Sequence, residues 1–126
     1  MAISRIGRTT IYVDDQDRAK AFYVDTLGFE LMDDQPMGEP DGPRWLEVRP
    51  PGAETRVVLY QADEEFPRHE GLNPTLFDAD DIQKTYEDLS AKDVEFPTKP
   101  EMAPWGRWWA TFKDSEGNEF GLGQAD

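Results

Sequence analysis

The chain has no cysteine, a single histidine, and only 13 basic residues against 27 acidic ones. Without cysteine it can form no disulfide, no thiolate nucleophile and no Cys-ligated zinc or iron–sulfur site. It also lacks a long apolar run, which excludes a transmembrane helix. Strand-like sequence begins almost at Met1, which argues against a signal peptide. These absences predict a soluble cytoplasmic protein.

The shortage of basic residues gives a net charge of −14 over 126 residues. The basic residues are spread singly, so no stripe of them could neutralise phosphates, and we expect neither nucleic acid nor a membrane as a partner. Two interpretations of the acidity stay open. It can be a solvated surface that keeps the protein soluble, or an adaptation to a high-salt cytoplasm whose counterions screen self-repulsion.

A repeated pattern is the strongest signal that the sequence does contain. Ile11–Asp15 leads into a helical pattern and a short strand, and Leu76–Ile82 opens a second copy roughly 65 residues later. Neither copy can bury its apolar face alone. We expect an α+β fold in a single domain over 1–126, with two βαβββ modules (about 4–62 and about 73–124) whose curved mixed sheets surround a cleft. Whether the modules pair within one chain or across a dimer stays open.

Apolar spacing and turn residues predict the elements of each module. The predicted strands cover 6–13, 29–32, 45–49, 56–61, 74–78, 94–96, 107–112 and 119–123. One helix follows Asp14 or Asp15 and ends at Gly28, and the other follows Asp80 or Asp81. Because an Asp pair precedes both helices, we interpret these acids as N-caps rather than as catalytic or cation-binding pairs. Segments 33–43, 62–73 and 97–104 are predicted loops.

Three short motifs resemble the vicinal oxygen chelate superfamily, which includes glyoxalase I, bleomycin-resistance proteins and extradiol dioxygenases. They are Ala21-Phe22-Tyr23, Leu27-Gly28-Phe29, and the closing Asp-Ser-Glu-Gly-Asn-Glu-Phe-Gly-Leu of residues 114–122. The resemblance runs from about Ile6 to Gly123. It implies the glyoxalase-like fold.

Enzymes of that superfamily mostly hold a divalent metal at four positions, two in each half. The resemblance puts these residues there: Arg8 (with Thr10 as its inward neighbour), Leu59, Pro74 (or Thr75 after a one-residue slip) and Gly121. Guanidinium, leucine, proline and glycine offer no metal bond. We therefore expect no metal and no cofactor.

The aromatic cluster Trp105-Gly106-Arg107-Trp108-Trp109 is the best candidate for ligand recognition. On a strand, Arg107 and Trp109 share one face, and an indole beside a guanidinium suits a planar or anionic small molecule. The alternative for Arg107 is pairing with surface acids. The resemblance implies that further positions face the cleft. Together with those positions and their neighbours, the predicted ligand-binding residues are Arg8, Thr10, Trp45, Leu59, Arg107, Trp109, Glu119 and Gly121.

These observations favour metal-independent binding of a small, partly hydrophobic or anionic organic molecule by a homodimer. The alternative is an enzyme, a lyase or isomerase of the glyoxalase I type or a dioxygenase, that uses Glu119, His69 or a displaced metal. A third possibility is a structural or regulatory subunit whose cleft is filled by its own side chains. No catalytic residue is identified, since His69 in a polar linker is more typical of a surface residue.

Overall fold

The protein is described by a computed structural model over residues 2–126, and its chain divides into two compact units, Met1–Arg68 and His69–Asp126. Each unit holds one four-stranded mixed sheet and one helical segment. The repeat found in the sequence is thus a repeat of structure.

The first unit runs strand, helix, three strands. Its elements are β1 (Arg8–Val13), α1 (Gln16–Ala21) with a π-helical continuation (Phe22–Thr26), β2 (Glu30–Pro36), β3 (Arg44–Arg49) and β4 (Arg56–Gln61). The strand order is β1-β4-β3-β2, with β1 parallel to β4 and the other pairs antiparallel.

The second unit repeats that plan. Its elements are β5 (Leu72–Ala79), α2 (Ile82–Ser90), β6 (Thr98–Met102), β7 (Trp108–Lys113) and β8 (Glu119–Gln124). The strand order is β5-β8-β7-β6, with β5 parallel to β8. The predicted α+β class and the βαβββ plan of both modules are confirmed.

In both helices the second aspartate of the Asp-Asp pair is the N-cap residue. The Asp15 carboxylate accepts a hydrogen bond from the Arg18 backbone N–H at 3.0 Å, and Asp81 accepts from the Lys84 N–H at 3.1 Å. Each bond satisfies one of the backbone donors that a helix N-terminus leaves without an intrahelical partner. The capping interpretation is therefore confirmed for Asp15 and Asp81.

The core of each unit lies on the face of the sheet that the helical segment covers. In the first unit, β1 and β4 supply Ile11 and Leu59, and the helical segment supplies Ala19 and Tyr23; all four are fully or almost fully buried. In the second unit the ring of the fully buried Phe120 meets that of the half-buried Phe77 edge to face at 5.3 Å between ring centroids.

The position of β6 is the main error of the sequence-based prediction. The strand lies at Thr98–Met102, within the segment predicted as a loop, while the predicted strand 94–96 is the connection after α2. β6 is the edge strand of its sheet and pairs with β7, so Pro100 is tolerated without an N–H, at a register shift in the ladder. The apolar residue at position 96 is explained by packing and not by a strand, since the Phe96 ring contacts the Tyr86 ring at 4.9 Å between centroids.

Smaller differences have related causes. β2 extends to Pro36 and β5 begins at Leu72, both inside predicted loops, because edge positions accept polar residues and proline. β1 begins at Arg8, two residues later than predicted. β7 begins at Trp108, which leaves Arg107 in the preceding turn.

Candidate functional site

Each sheet has one face that its own helix does not cover, and we call this the open face. In the first unit, side-chain alternation puts Arg8 and Thr10 of β1 on this face, together with Trp45 and Glu47 of β3. Arg8 and Thr10 are exposed, Trp45 is half-buried and Glu47 is buried.

Leu59 does not lie on that face, which corrects its predicted place beside Arg8. The parallel register aligns Leu59 with Ile11 and Arg8 with Arg56. Leu59 therefore points toward α1, where it is fully buried. The residues of β4 on the open face are the alternate ones, beginning with Arg56.

The open face of the second unit carries a groove of about 350 Å³. Three predicted residues, Arg107, Trp109 and Gly121, line it with Leu72, Leu76 and Trp105. Glu119 does not line the groove; it aligns with Leu72 and Lys113 at the start of β8.

Two indoles form one wall of this groove. The rings of Trp105 and Trp109 lie 5.5 Å apart between centroids, inclined at 56°. Trp105 stands in the tight turn before β7, where Gly106 adopts φ +88° and donates its N–H to the Ala103 carbonyl. A left-handed residue is needed there, and glycine adopts that conformation at no steric cost. Trp105 remains 64% exposed.

Leucine side chains form the opposite part of the lining. Leu76 is 71% exposed and lies over Gly121: a Cβ at residue 121 would stand 2.6 Å from the Leu76 Cδ2 atom. Gly121 therefore makes room for a leucine side chain. Together with Leu72, this side chain makes the groove largely apolar.

Arg107 brings the groove a guanidinium whose charge is already compensated. Its Nη2 donates to the Gln124 carbonyl and lies 3.9 Å from Asp78 Oδ1 and 3.7 Å from Asp126 Oδ1. Arg107 therefore has both of the placements that the sequence left open: it lines the groove and it also pairs with acidic side chains. The groove accordingly offers a polar N–H edge without an excess of positive charge.

The first unit has a buried carboxylate that the sequence did not indicate. Glu47 is 3% exposed and accepts from Arg8 Nε at 2.9 Å, from Arg56 Nη1 at 3.1 Å and from the Trp45 indole N–H. Burial alone would raise the pKa of Glu47, but the hydrogen bonds from Trp45, Arg8 and Arg56 outweigh it and hold the pKa below the ordinary glutamate value.

The residues of these faces do not fit a divalent metal. The Glu47 oxygens are already engaged by two guanidiniums and an indole, and Leu76 and Gly121 on the open face of the second unit have no side-chain atom that could bind a metal. Within residues 2–126, no group of three or more His, Cys, Asp or Glu side chains could hold a metal ion. His69, the single histidine, is exposed and contacts the Leu72 carbonyl at 3.0 Å.

Comparisons with known proteins agree on one family. Residues 5–122 match the family model of the Glyoxalase/Bleomycin resistance protein/Dioxygenase superfamily. The protein YetH of Bacillus subtilis (strain 168) is 40% identical over 118 residues, covering 94% of this chain and 96% of YetH.

Two solved structures extend that comparison. A superfamily member from Sphaerobacter thermophilus DSM 20745 is 35% identical with a TM-score of 0.89, covering 99% of this chain and 100% of its own. TnmS3, an antibiotic binding protein from Streptomyces sp. CB03234, is 37% identical with a TM-score of 0.85, covering 100% of this chain and 99% of its own. No helix in residues 2–126 is long and apolar enough to cross a membrane.

Proposed function

Since the chain belongs to the Glyoxalase/Bleomycin resistance protein/Dioxygenase superfamily, we propose that it binds a small, partly hydrophobic organic molecule in the groove of its second unit, without a metal. The observation that carries this proposal is the exposed apolar lining: Trp105 is 64% exposed, Leu76 71% and Leu72 48%. Leaving such surface in water is unfavourable by about 25 cal/mol for each Å² that a ligand could cover.

The size and shape of the groove support a small molecule as the occupant. Its volume of about 350 Å³ falls within the roughly 300–1,000 Å³ typical of small-molecule sites. The paired indoles of Trp105 and Trp109 offer ring faces for stacking on a planar group. Arg107 offers N–H donors at the edge, which suits a carbonyl, hydroxyl or single carboxylate on the ligand.

The comparison with TnmS3 supports binding rather than turnover. That protein is described as antibiotic binding, and this chain matches it over its whole length at 37% identity. We extend the same ligand class, an organic compound with a planar apolar part, to this chain. The protein then retains its ligand unchanged.

Metal independence and the state of the protein in solution belong to the same proposal. Glu47 is held by Arg8 and Arg56, so a metal would have to displace both guanidiniums. We further propose that the protein is cytoplasmic and forms a homodimer. Light scattering after size-exclusion chromatography would test the dimer.

Equilibrium titration with 1-anilinonaphthalene-8-sulfonate, whose fluorescence rises in apolar sites, tests whether binding needs a metal. We expect the same affinity before and after dialysis against EDTA, and no stoichiometric metal in the purified protein. Loss of binding after EDTA would contradict metal independence. Turnover of the methylglyoxal–glutathione hemithioacetal with added nickel or zinc would contradict binding without chemistry.

A further inference from the structure

We propose that Arg8 and Arg56 form a binding site for an oxyanion, the carboxylate or phosphate group of an organic molecule, on the open face of the first unit. This inference goes beyond the groove: it is drawn from the first unit alone and does not depend on what the second unit binds.

The cluster of Arg8, Arg56 and Glu47 is unevenly charged. One arginine would neutralise Glu47, but two guanidiniums donate to it. The cluster therefore carries one positive charge in excess, on a chain whose net charge is −14. Two like charges held side by side are unfavourable, and an anion bound between them removes that cost.

Both guanidiniums keep N–H donors that Glu47 does not use. Each guanidinium has five N–H groups, and each uses one nitrogen on Glu47: Nε for Arg8 and Nη1 for Arg56. In the described part of the chain these bonds to Glu47 are the only hydrogen bonds that either side chain makes. The side chains of Arg8 and Arg56 are 51% and 34% exposed. Their remaining N–H groups can therefore reach a ligand.

The two guanidiniums are held side by side. Arg8 and Arg56 are register partners on parallel strands, which lie about 4.8 Å apart. Glu47 is 3% exposed and accepts hydrogen bonds from both guanidiniums, so it restrains two otherwise flexible side chains. Arginines held in this way lose less side-chain entropy when an anion binds.

The same face favours an organic anion over a bare ion. Tyr12 and Tyr60 are also register partners, four residues further along the same two strands, which is about 13 Å. Their rings meet edge to face at 5.9 Å, and Phe66 stacks on Tyr12 at 5.9 Å. The exposed Thr10 stands between the two groups on β1. An organic anion long enough to cover this spacing would meet cations at one end of the face and aromatic rings at the other.

The test compares benzoate, its neutral isostere benzamide, and inorganic phosphate at about 0.15 M salt. The readout is the NMR signals of the arginine Nε–H groups in the unmodified protein. We expect benzoate or phosphate to shift the Arg8 and Arg56 signals saturably, while benzamide shifts neither. A response to phosphate alone, or to benzoate alone, identifies which oxyanion the pair selects. No response to either anion, or an equal response to benzamide, overturns the proposal.

Variants locate the site. Arg8→Gln and Arg56→Gln should each weaken anion binding about tenfold, the effect of one lost charged hydrogen bond. Arg49→Gln removes the same charge from a guanidinium that is engaged by Glu30 and the Ala53 carbonyl, and should leave affinity unchanged. An equal loss in Arg49→Gln would mean that net charge alone controls binding, which contradicts the proposal. If a variant does not fold, the NMR titration of the unmodified protein still tests the proposal.

Discussion

Leu76 lies directly over Gly121 on the neighbouring parallel strand, so close that a methyl group at residue 121 would stand 2.6 Å from the leucine Cδ2 atom. The contact links a feature of the sequence, a glycine in a strand, to the apolar lining of the groove. Glycine is unfavourable in a strand interior, and here the absence of a side chain gives Leu76 its room.

Gly121→Ala should move Leu76 and change the groove while leaving the fold intact. The clashing atom is the end of a flexible, largely exposed side chain, so we expect the free energy of unfolding to change by less than about 1 kcal/mol. Binding of 1-anilinonaphthalene-8-sulfonate should change severalfold. In the Leu76→Ala background the same substitution should have little further effect, because the clash is gone. Additive effects of the two substitutions would refute this coupling.

Removing both guanidiniums from Glu47 should destabilise the first unit strongly. Arg8→Gln combined with Arg56→Gln leaves a 3%-exposed carboxylate without a cationic partner, which we expect to cost about 3 kcal/mol at neutral pH. Adding Glu47→Gln should restore much of the loss, since no buried charge remains. Urea denaturation of the double and triple variants measures this. A triple variant no more stable than the double would contradict the account.

Acid should destabilise the protein in part through Glu47. Its pKa is lowered in the folded state from the ordinary value of 4.5, so the unfolded chain binds a proton more readily than the folded one. The stability from Glu47 is therefore fully present above about pH 4.5 and is lost as pH falls through its folded pKa.

The urea midpoint measured from about pH 3 to pH 7 tests this contribution. The unmodified protein should lose stability toward the acid end, and Glu47→Gln should flatten the curve. Asp34, whose pKa is also lowered as hydrogen bonds from Lys20 and Arg44 outweigh burial, contributes with the same sign and remains in the variant. Identical pH profiles for the two proteins would argue against the role of Glu47.

The two aspartates before α2 should differ in their effect on stability. Asp81 caps the helix by accepting from the Lys84 N–H at 3.1 Å, so Asp81→Ala should cost about 1 kcal/mol. Asp80→Ala removes the same charge one residue earlier, where no side-chain cap is made, and should cost only a few tenths. Thermal unfolding of the two variants compares them directly. Equal losses would show that charge near the helix end, and not the cap bond, is what matters.

Local chemistry explains why much of the fold was predictable. The Asp-Asp pairs and Gly28 act within one or two turns of their own helix, so capping and helix ends follow from nearby residues. β6 was misplaced because an edge strand can carry Pro100 and polar residues, and its signal resembles that of a loop.

The site was less predictable because it depends on pairing between distant residues. Leu59 was expected beside Arg8, yet the parallel register aligns Arg8 with Arg56, and a difference of one residue turns a side chain to the other face. Glu47 was missed for the same reason, since nothing local to β3 shows that two arginines from β1 and β4 converge on it. The aromatic cluster was recognisable because Trp105 and Trp109 are close in sequence.

The measurement that tests the central claim most directly compares Trp105→Ala with Met102→Ala in their binding of 1-anilinonaphthalene-8-sulfonate. Both residues are exposed apolar side chains of the second unit, 64% and 53% exposed, but only Trp105 lines the groove. The account predicts that Trp105→Ala weakens binding about tenfold, the loss of one stacking wall, while Met102→Ala binds like the unmodified protein. Equal affinities in all three proteins would show that the groove is not the binding site and would contradict the account.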